Sequence, residues 1–182
     1  MSRLAIDSLF SENQNMPTRV ILRGLVDDIQ ESCNIGVLDG MDFVYLDRIQ
    51  SDWPLRVHLE AGNHVPAHCT SGGKILLAHL PDDIRGKLIG LKPLKKHTKS
   101  SIVDPLLLEK ELAECLKKTF ATNNEENTVG IVGVAVPIVD NTGRAIAALA
   151  CHAPVARLSL EKLKKFVPKI KKAASALGHY WS

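Results

Sequence analysis

The sequence predicts an α+β fold: an antiparallel sheet with helices packed against it. Three observations lead there. β-branched segments arrive in hairpin groups rather than alternating singly with helices, which argues against a parallel sheet. Apolar residues at three- and four-residue spacing mark helices at both ends and in the middle of the chain. A length of 182 residues with 45% hydrophobic content suits one core, and a chain of this size buries roughly 70% of its unfolded surface.

Met1 to Asn15, rich in Ser and Asn, reads as the remnant of a linker, so residues 1–16 are set apart from a folded unit over 17–182. Pro17 suits a first helical turn. Ile21, Leu22, Leu25, Val26 and Ile29 then form one apolar face of a helix ending near Cys33. Asn34 to Leu38 and Phe43 to Ile49 are β-rich, with Asp39-Gly40 as the turn between them. A third strand is expected over Leu55 to Leu59, after the turn at Trp53-Pro54. Ala61 to Ser71 is a glycine-bearing loop leading into a helix that opens at Gly72 and stops before Pro81. A short helix follows over Asp82 to Ile89, and Lys92 to Ser101 is a basic loop. Asp104 caps the next helix and Pro105 opens it, with Leu108, Leu112, Cys115, Leu116 and Thr119 as its stripe. Val129 to Val139 is a β-branched run that Asp140 to Gly143 turns into the strand Arg144 to His152. Ser159 caps a last helix whose Leu160, Leu163, Val167, Ile170, Ala174 and Leu177 face the core. Pro168 should kink it, because the ring crowds the preceding turn and offers no N–H.

Bulk properties exclude several functions. A net charge of +3 and 4% aromatic content make no nucleic-acid footprint and no base-stacking surface. Apolar runs such as Val134 to Val139 fall far short of the ~20 residues that span a bilayer. No basic n-region precedes an apolar stretch at the start, so no signal peptide is read and a cytoplasmic protein is expected. Cys33, Cys69, Cys115 and Cys151 are isolated and read as buried thiols in a reducing compartment.

Local chemistry centres on Thr70-Ser71-Gly72-Gly73-Lys74. A helix start leaves backbone N–H groups free and carries partial positive charge, so it can hold a carboxylate or phosphate. Taken alone, the segment reads as a Ser/Thr cap with glycines for tight packing, the anion site being the alternative; the Walker spacing fails. His64, His68 and Cys69, with Cys151-His152, are candidate metal ligands, but no carboxylate or second cysteine completes a tetrahedral set, so no metal is assigned. No catalytic residue is assigned either: Cys151 and His152 point to opposite faces of one strand, and no nucleophile elbow is present. Lys162, Lys165, Lys169 and Lys172 form the solvated face of the last helix.

From about Val20 to Gly178 the ordered pattern resembles the C-terminal effector-binding domain of the isocitrate-lyase-regulator (IclR) family of bacterial transcription factors. It includes Val37-Leu38-Asp39-Gly40, Val44-Tyr45-Leu46-Asp47-Arg48 and Pro54-Leu55-Arg56. The most specific stretch follows the family pattern G-x-x-x-P-x-H-x-[ST]-x-x-G-K-x-[LF]-L-A through Gly62, Pro66, His68, Thr70, Gly73, Lys74, Leu76, Leu77 and Ala78. Thr98, Ile102, Glu125-Glu126, Gly130, Ala135, Pro137, Asp140, Gly143, Ala147-Ala148, Pro154 and Arg157 continue it, and Ala173-Ala174 with Leu177-Gly178 close it.

The resemblance implies a GAF-like curved antiparallel sheet with helices on both faces and a small, often carboxylate-bearing effector bound over the sheet. It also implies dimers that pair into tetramers. No cofactor is assigned. Carried over residue by residue, Ser71 and Gly72 match the anion-contacting helix start, and Asn123, Gly133, Ala150 and His152 match the other pocket positions. Asn123 stands where an Asp is usual, Gly133 where some members have Cys, and Ala150 and His152 where Ser is frequent. These departures imply a less acidic pocket for a different ligand, with room beside Gly133 and Ala150 and a hydrogen bond from His152; pairing of His152 with backbone is the alternative. Family members carry a winged helix-turn-helix domain ahead of this region. None fits before Pro17, so specific operator binding is expected only through that absent domain. A ligand-free GAF-like dimerisation module and a Cys/His hydrolase are the rival readings.

Overall fold

The computed structural model describes residues 15–54 and 61–181. The strand expected over Leu55 to Leu59 and the leader before Asn15 lie outside the described residues. Helix α1 (Asn15–Ile29) begins before Pro17 and stops short of the expected Cys33. Gln30 takes a left-handed φ of 62°, and the chain enters β1 (Ser32–Asp39) directly. β1 and β2 (Asp42–Ile49) form a hairpin whose turn is Gly40-Met41 rather than Asp39-Gly40. Asp39 still pairs with Asp42, and of the two central residues only Gly40 has positive φ, 58°, where a missing Cβ removes the steric cost.

The expected loop Ala61 to Ser71 contains β3 (His64–Pro66) and a 3₁₀ turn, Ala67–Cys69. Then come α2 (Ser71–Ala78), α3 (Asp82–Gly90) and α4 (Pro105–Lys118). Asp104 caps α4 as expected, its carboxylate accepting from the Leu106 and Leu107 N–H groups. Leu108, Leu112 and Cys115 bury its stripe, but Leu116 and Thr119 face solvent. β4 (Ala121–Asn124), too polar to read as a strand, precedes β5 (Ile131–Val139) and β6 (Ala145–Pro154). Pro168 does not kink one last helix but separates two, α5 (Leu160–Lys164) and α6 (Val167–Tyr180). It sits in the first turn of α6, where no intrahelical N–H is needed.

The six strands form one curled sheet in the order β3-β2-β1-β6-β5-β4, antiparallel at every pairing. Helices cover both faces, as expected. On one, Cys33, Ile35, Val134, Leu149 and Cys151 pack against α1, α5 and α6. On the other, Ala121, Ala135 and Ala150 are register partners across β4, β5 and β6. This row of small side chains lets α2 lie close to the sheet, where all eight of its residues are buried. β2 carries a bulge: Ile35 pairs with Asp47 and Gly36 with Tyr45, leaving Leu46 over. The extra residue shifts the alternation, so Arg48 and Tyr45 both lie on the α2 side.

Candidate ligand-binding site

Beneath the start of α2, four register partners stand in a row across the sheet: Asn123, Gly133, His152 and Ser32. One step along, Ala121, Ala135, Ala150 and Asn34 form the next. Directly opposed residues point to one face, so the four expected sheet positions Asn123, Gly133, Ala150 and His152 share a surface. Ser71 and Gly72, the other two, begin the helix that covers it. The convergence is tightest at Gly133: a Cβ there would lie 2.9 Å from His152 Cδ2 and 3.1 Å from Ser71 Oγ. The space that Gly133 leaves is thus filled by an imidazole edge and a hydroxyl, not left open for a larger guest.

Both readings of the helix start hold, at different residues. Thr70 is the cap: its Oγ1 accepts from the Gly73 N–H at 3.3 Å and its carbonyl from the Lys74 N–H at 2.9 Å. Gly73 is a packing glycine, because a Cβ would lie 2.3 Å from Ala67 Cα, which is backbone and cannot yield. A Cβ at Gly72 would meet the Phe43 ring at 2.5 Å. Helix geometry leaves the Ser71 and Gly72 N–H groups without intrahelical acceptors. Ser71 is itself fully buried, and its Oγ has no hydrogen-bond partner.

His152 is held by a side chain rather than by backbone. Its Nδ1 accepts from Asn34 Nδ2 at 2.9 Å, which leaves the ring hydrogen on Nε2. Burial, and then the positive charge of Arg48, lower its pKa to about 4, so at neutral pH the ring is an uncharged donor. Asn34 Oδ1 is buried with no partner. Asn123 is committed to its own turn, its Oδ1 accepting from the Glu126 N–H at 2.8 Å. Ala150 is fully buried among the side chains under α2.

Asn34 and Arg48 were legible as strand and motif residues but not as members of the site. A signal was present: Ser32 and Asn34 recur at the two-residue period inside an otherwise apolar strand, the mark of a polar inward face. Lys74 was legible only as part of a motif. Fully buried, it pairs with Glu126 at 2.8 Å and Glu111 at 2.9 Å. Burial pulls its amine down, but the two carboxylates outweigh this and hold its pKa above the ordinary lysine range.

Other candidates are dispersed. His64 is exposed on β3, 3.7 Å from Asp42. His68 and Cys69 meet His97 instead. Cys151 pairs in register with Cys33 on the opposite sheet face from His152. Burial pushes the Cys69 thiol up to about 12, which makes it a poor nucleophile. Lys162, Lys165, Lys169 and Lys172 are exposed, as expected of a solvated face. Among the described residues no helix is long and apolar enough to cross a membrane. Two surface cavities, of about 410 and 530 Å³, are lined by residues other than the six.

Comparisons with known proteins bear on the family and the fold. A family model described as "Bacterial transcriptional regulator IclR C-terminal" matches residues 12–179. The "Probable transcriptional regulator SauR" of Cupriavidus necator is 42% identical over 175 residues, 96% of this chain and 69% of that protein. The "Transcriptional repressor IclR" of Escherichia coli is 29% identical over 173 residues, 93% of this chain and 63% of that one. The chain thus spans about two thirds of the length of these relatives. Among solved structures, the Thermotoga maritima IclR superposes with a TM-score of 0.83 at 26% identity, covering 92% of this chain and 69% of that one. The inducer-binding domain of an Acinetobacter PobR double mutant, in complex with 3-hydroxybenzoic acid, gives 0.81 at 29% identity, over 88% of this chain and 94% of that one. With the fold, the ordered motif and the family match in agreement, the chain belongs to the IclR family of bacterial transcriptional regulators, as their C-terminal effector-binding domain.

Proposed function

We propose that this domain senses a small carboxylate-bearing metabolite at the start of α2 and thereby modulates DNA binding by a domain outside this chain, in self-associated copies in the cytoplasm. One observation carries the reading: the Ser71 hydroxyl is fully buried and unpartnered at a helix N-terminus, beside a neutral imidazole. An orphaned buried hydroxyl costs about 1–3 kcal/mol, and a bound anion recovers it. The Ser71 and Gly72 N–H groups, Ser71 Oγ and His152 Nε2 supply donors, and Arg48 supplies field; all favour negative charge. Asn34 Oδ1 offers an acceptor to a ligand hydroxyl. The inducer complex of the PobR neighbour supports ligand binding by this fold. Regulation then follows from unequal affinity for two conformations, one closed as seen here and one open to the ligand.

The test is calorimetry and thermal shift against a panel of small carboxylates, hydroxy acids and aromatic acids. At least one should raise the melting temperature. Ser71→Ala should weaken that compound by about tenfold, or ~1.4 kcal/mol, and leave the unliganded protein as stable or more so, since the orphan hydroxyl is gone. One observation favours a second reading, a ligand-free dimerisation module: Ser71 and Ala150 are wholly enclosed by the protein's own side chains. A panel in which nothing raises the melting temperature, from a protein that still associates with longer relatives, would select that reading.

A further inference from the structure

We propose that His68, Cys69 and His97 form a site for a borderline-soft divalent metal ion, zinc being the fitting choice. One ring nitrogen of each histidine and the Cys69 sulfur all lie within 4.8 Å of one another. They come from two separate segments. His68 and Cys69 are consecutive, buried residues of the 3₁₀ turn Ala67–Cys69, while His97 stands exposed on the loop before α4. The His68 and His97 rings are neighbours, tilted at 49° with centroids 6.0 Å apart, and do not stack. Tetrahedral zinc with bonds near 2.0–2.3 Å needs ligand atoms about 3.5 Å apart, so binding would draw the three together, and His97 is the exposed member that is freest to move.

Three further features fit a metal. His68 Nε2 donates to the Lys95 carbonyl at 3.0 Å, the second-layer bond that fixes the tautomer of a ligating histidine and leaves the Nδ1 lone pair for the ion. The backbone at His97 is held in place: the Ser101 hydroxyl accepts from the His97 and Thr98 N–H groups at 2.9 and 2.8 Å. The same hydroxyl donates to the Glu126 carbonyl at 2.7 Å, anchoring the loop to the β4–β5 turn. An entry path exists, for His68 and His97 line the cavity of about 410 Å³. Two nitrogens and one sulfur leave a fourth position for water. On binding, the Cys69 S–H bond breaks, a sulfur–metal bond forms, and the proton passes to solvent.

Such an ion would clamp the 3₁₀ turn to the loop over 92–101, immediately before the residues that start α2. The site stands whether or not α2 holds an anion. Cobalt(II) is the probe, titrated into reduced, metal-free protein. We expect one cobalt per chain, a thiolate-to-cobalt charge-transfer band in the near ultraviolet, and displacement by zinc. Cys69→Ser should abolish the band. His97→Gln, at an exposed position that leaves the fold intact by circular dichroism, should weaken cobalt by about tenfold or more. A band that survives Cys69→Ser, unchanged affinity in His97→Gln, or no stoichiometric uptake overturns the proposal.

Discussion

His152 is where burial and chemistry oppose each other most. Its imidazole would titrate near 6.5 in an unfolded chain, but in the fold burial and Arg48 hold it to about 4. Between those values the unfolded chain binds a proton that the folded one refuses. Stability therefore rises with pH across that window and is lost as pH falls from about 6.5 toward 4, by an amount on the order of 3 kcal/mol when complete. Urea unfolding at a series of pH values should show this slope in the parent and a flatter one in His152→Gln. An unchanged slope would mean that another group titrates. That His152 and Ala150 share a strand face was readable from their two-residue spacing. The bond to Asn34 was not, because it joins β6 to β1 across 118 residues and depends on which strands are neighbours. Gly133 shows the same limit: its smallness suggested room, whereas the fold spends that room on His152 and Ser71.

At the scale of elements, the Lys74 ion pairs link α2 to the elements around it. Lys74 reaches Glu111 on α4 and Glu126 in the β4–β5 turn, so one buried ammonium ties three elements together. Burial acts to raise the Glu111 carboxyl, but the Lys74 charge and hydrogen bond outweigh it and hold Glu111 below its usual range. Its share of stability is thus present above the ordinary carboxylate range and is lost as pH falls through the lowered pKa. Removing one partner of a buried pair strands the other. Glu126→Gln should cost about 3 kcal/mol by chemical denaturation. Lys74→Met should cost at least as much, since it leaves Glu126 enclosed without its cation. A loss well under 1 kcal/mol in both would show that the pairs do not position α2. The helix itself was legible in its Ser/Thr cap and the stop before Pro81, although only the structure shows that Thr70 is the capping residue. Its partners were not, since a lysine in a motif carries no signal of the carboxylates that will face it after folding.

Across the whole molecule, helices on both faces leave several large apolar side chains exposed. Leu106 is 74% and Leu107 55% exposed at the start of α4, with Val103 beside them. Such a cluster fits the self-association that the family resemblance implies. Sedimentation at micromolar concentration should find a dimer or larger species; a monomer at every concentration would remove self-association from the reading. Local rules determined much of this protein by sequence alone: the amphipathic faces of α1 and α6, the β1–β2 hairpin, the Asp104 and Ser159 caps and the start of α2. These depend on neighbours within a few residues, and periodicity and capping chemistry report on such neighbours directly. Tertiary structure alone decided that β4 would be a strand at all and that Ser71, Gly133 and His152 would meet. It also decided that Lys74 would be enclosed by two carboxylates and that His97 would come to His68 and Cys69. Each of these juxtapositions joins distant segments, and strand order and register arise from the packing of the whole chain rather than from any stretch of it.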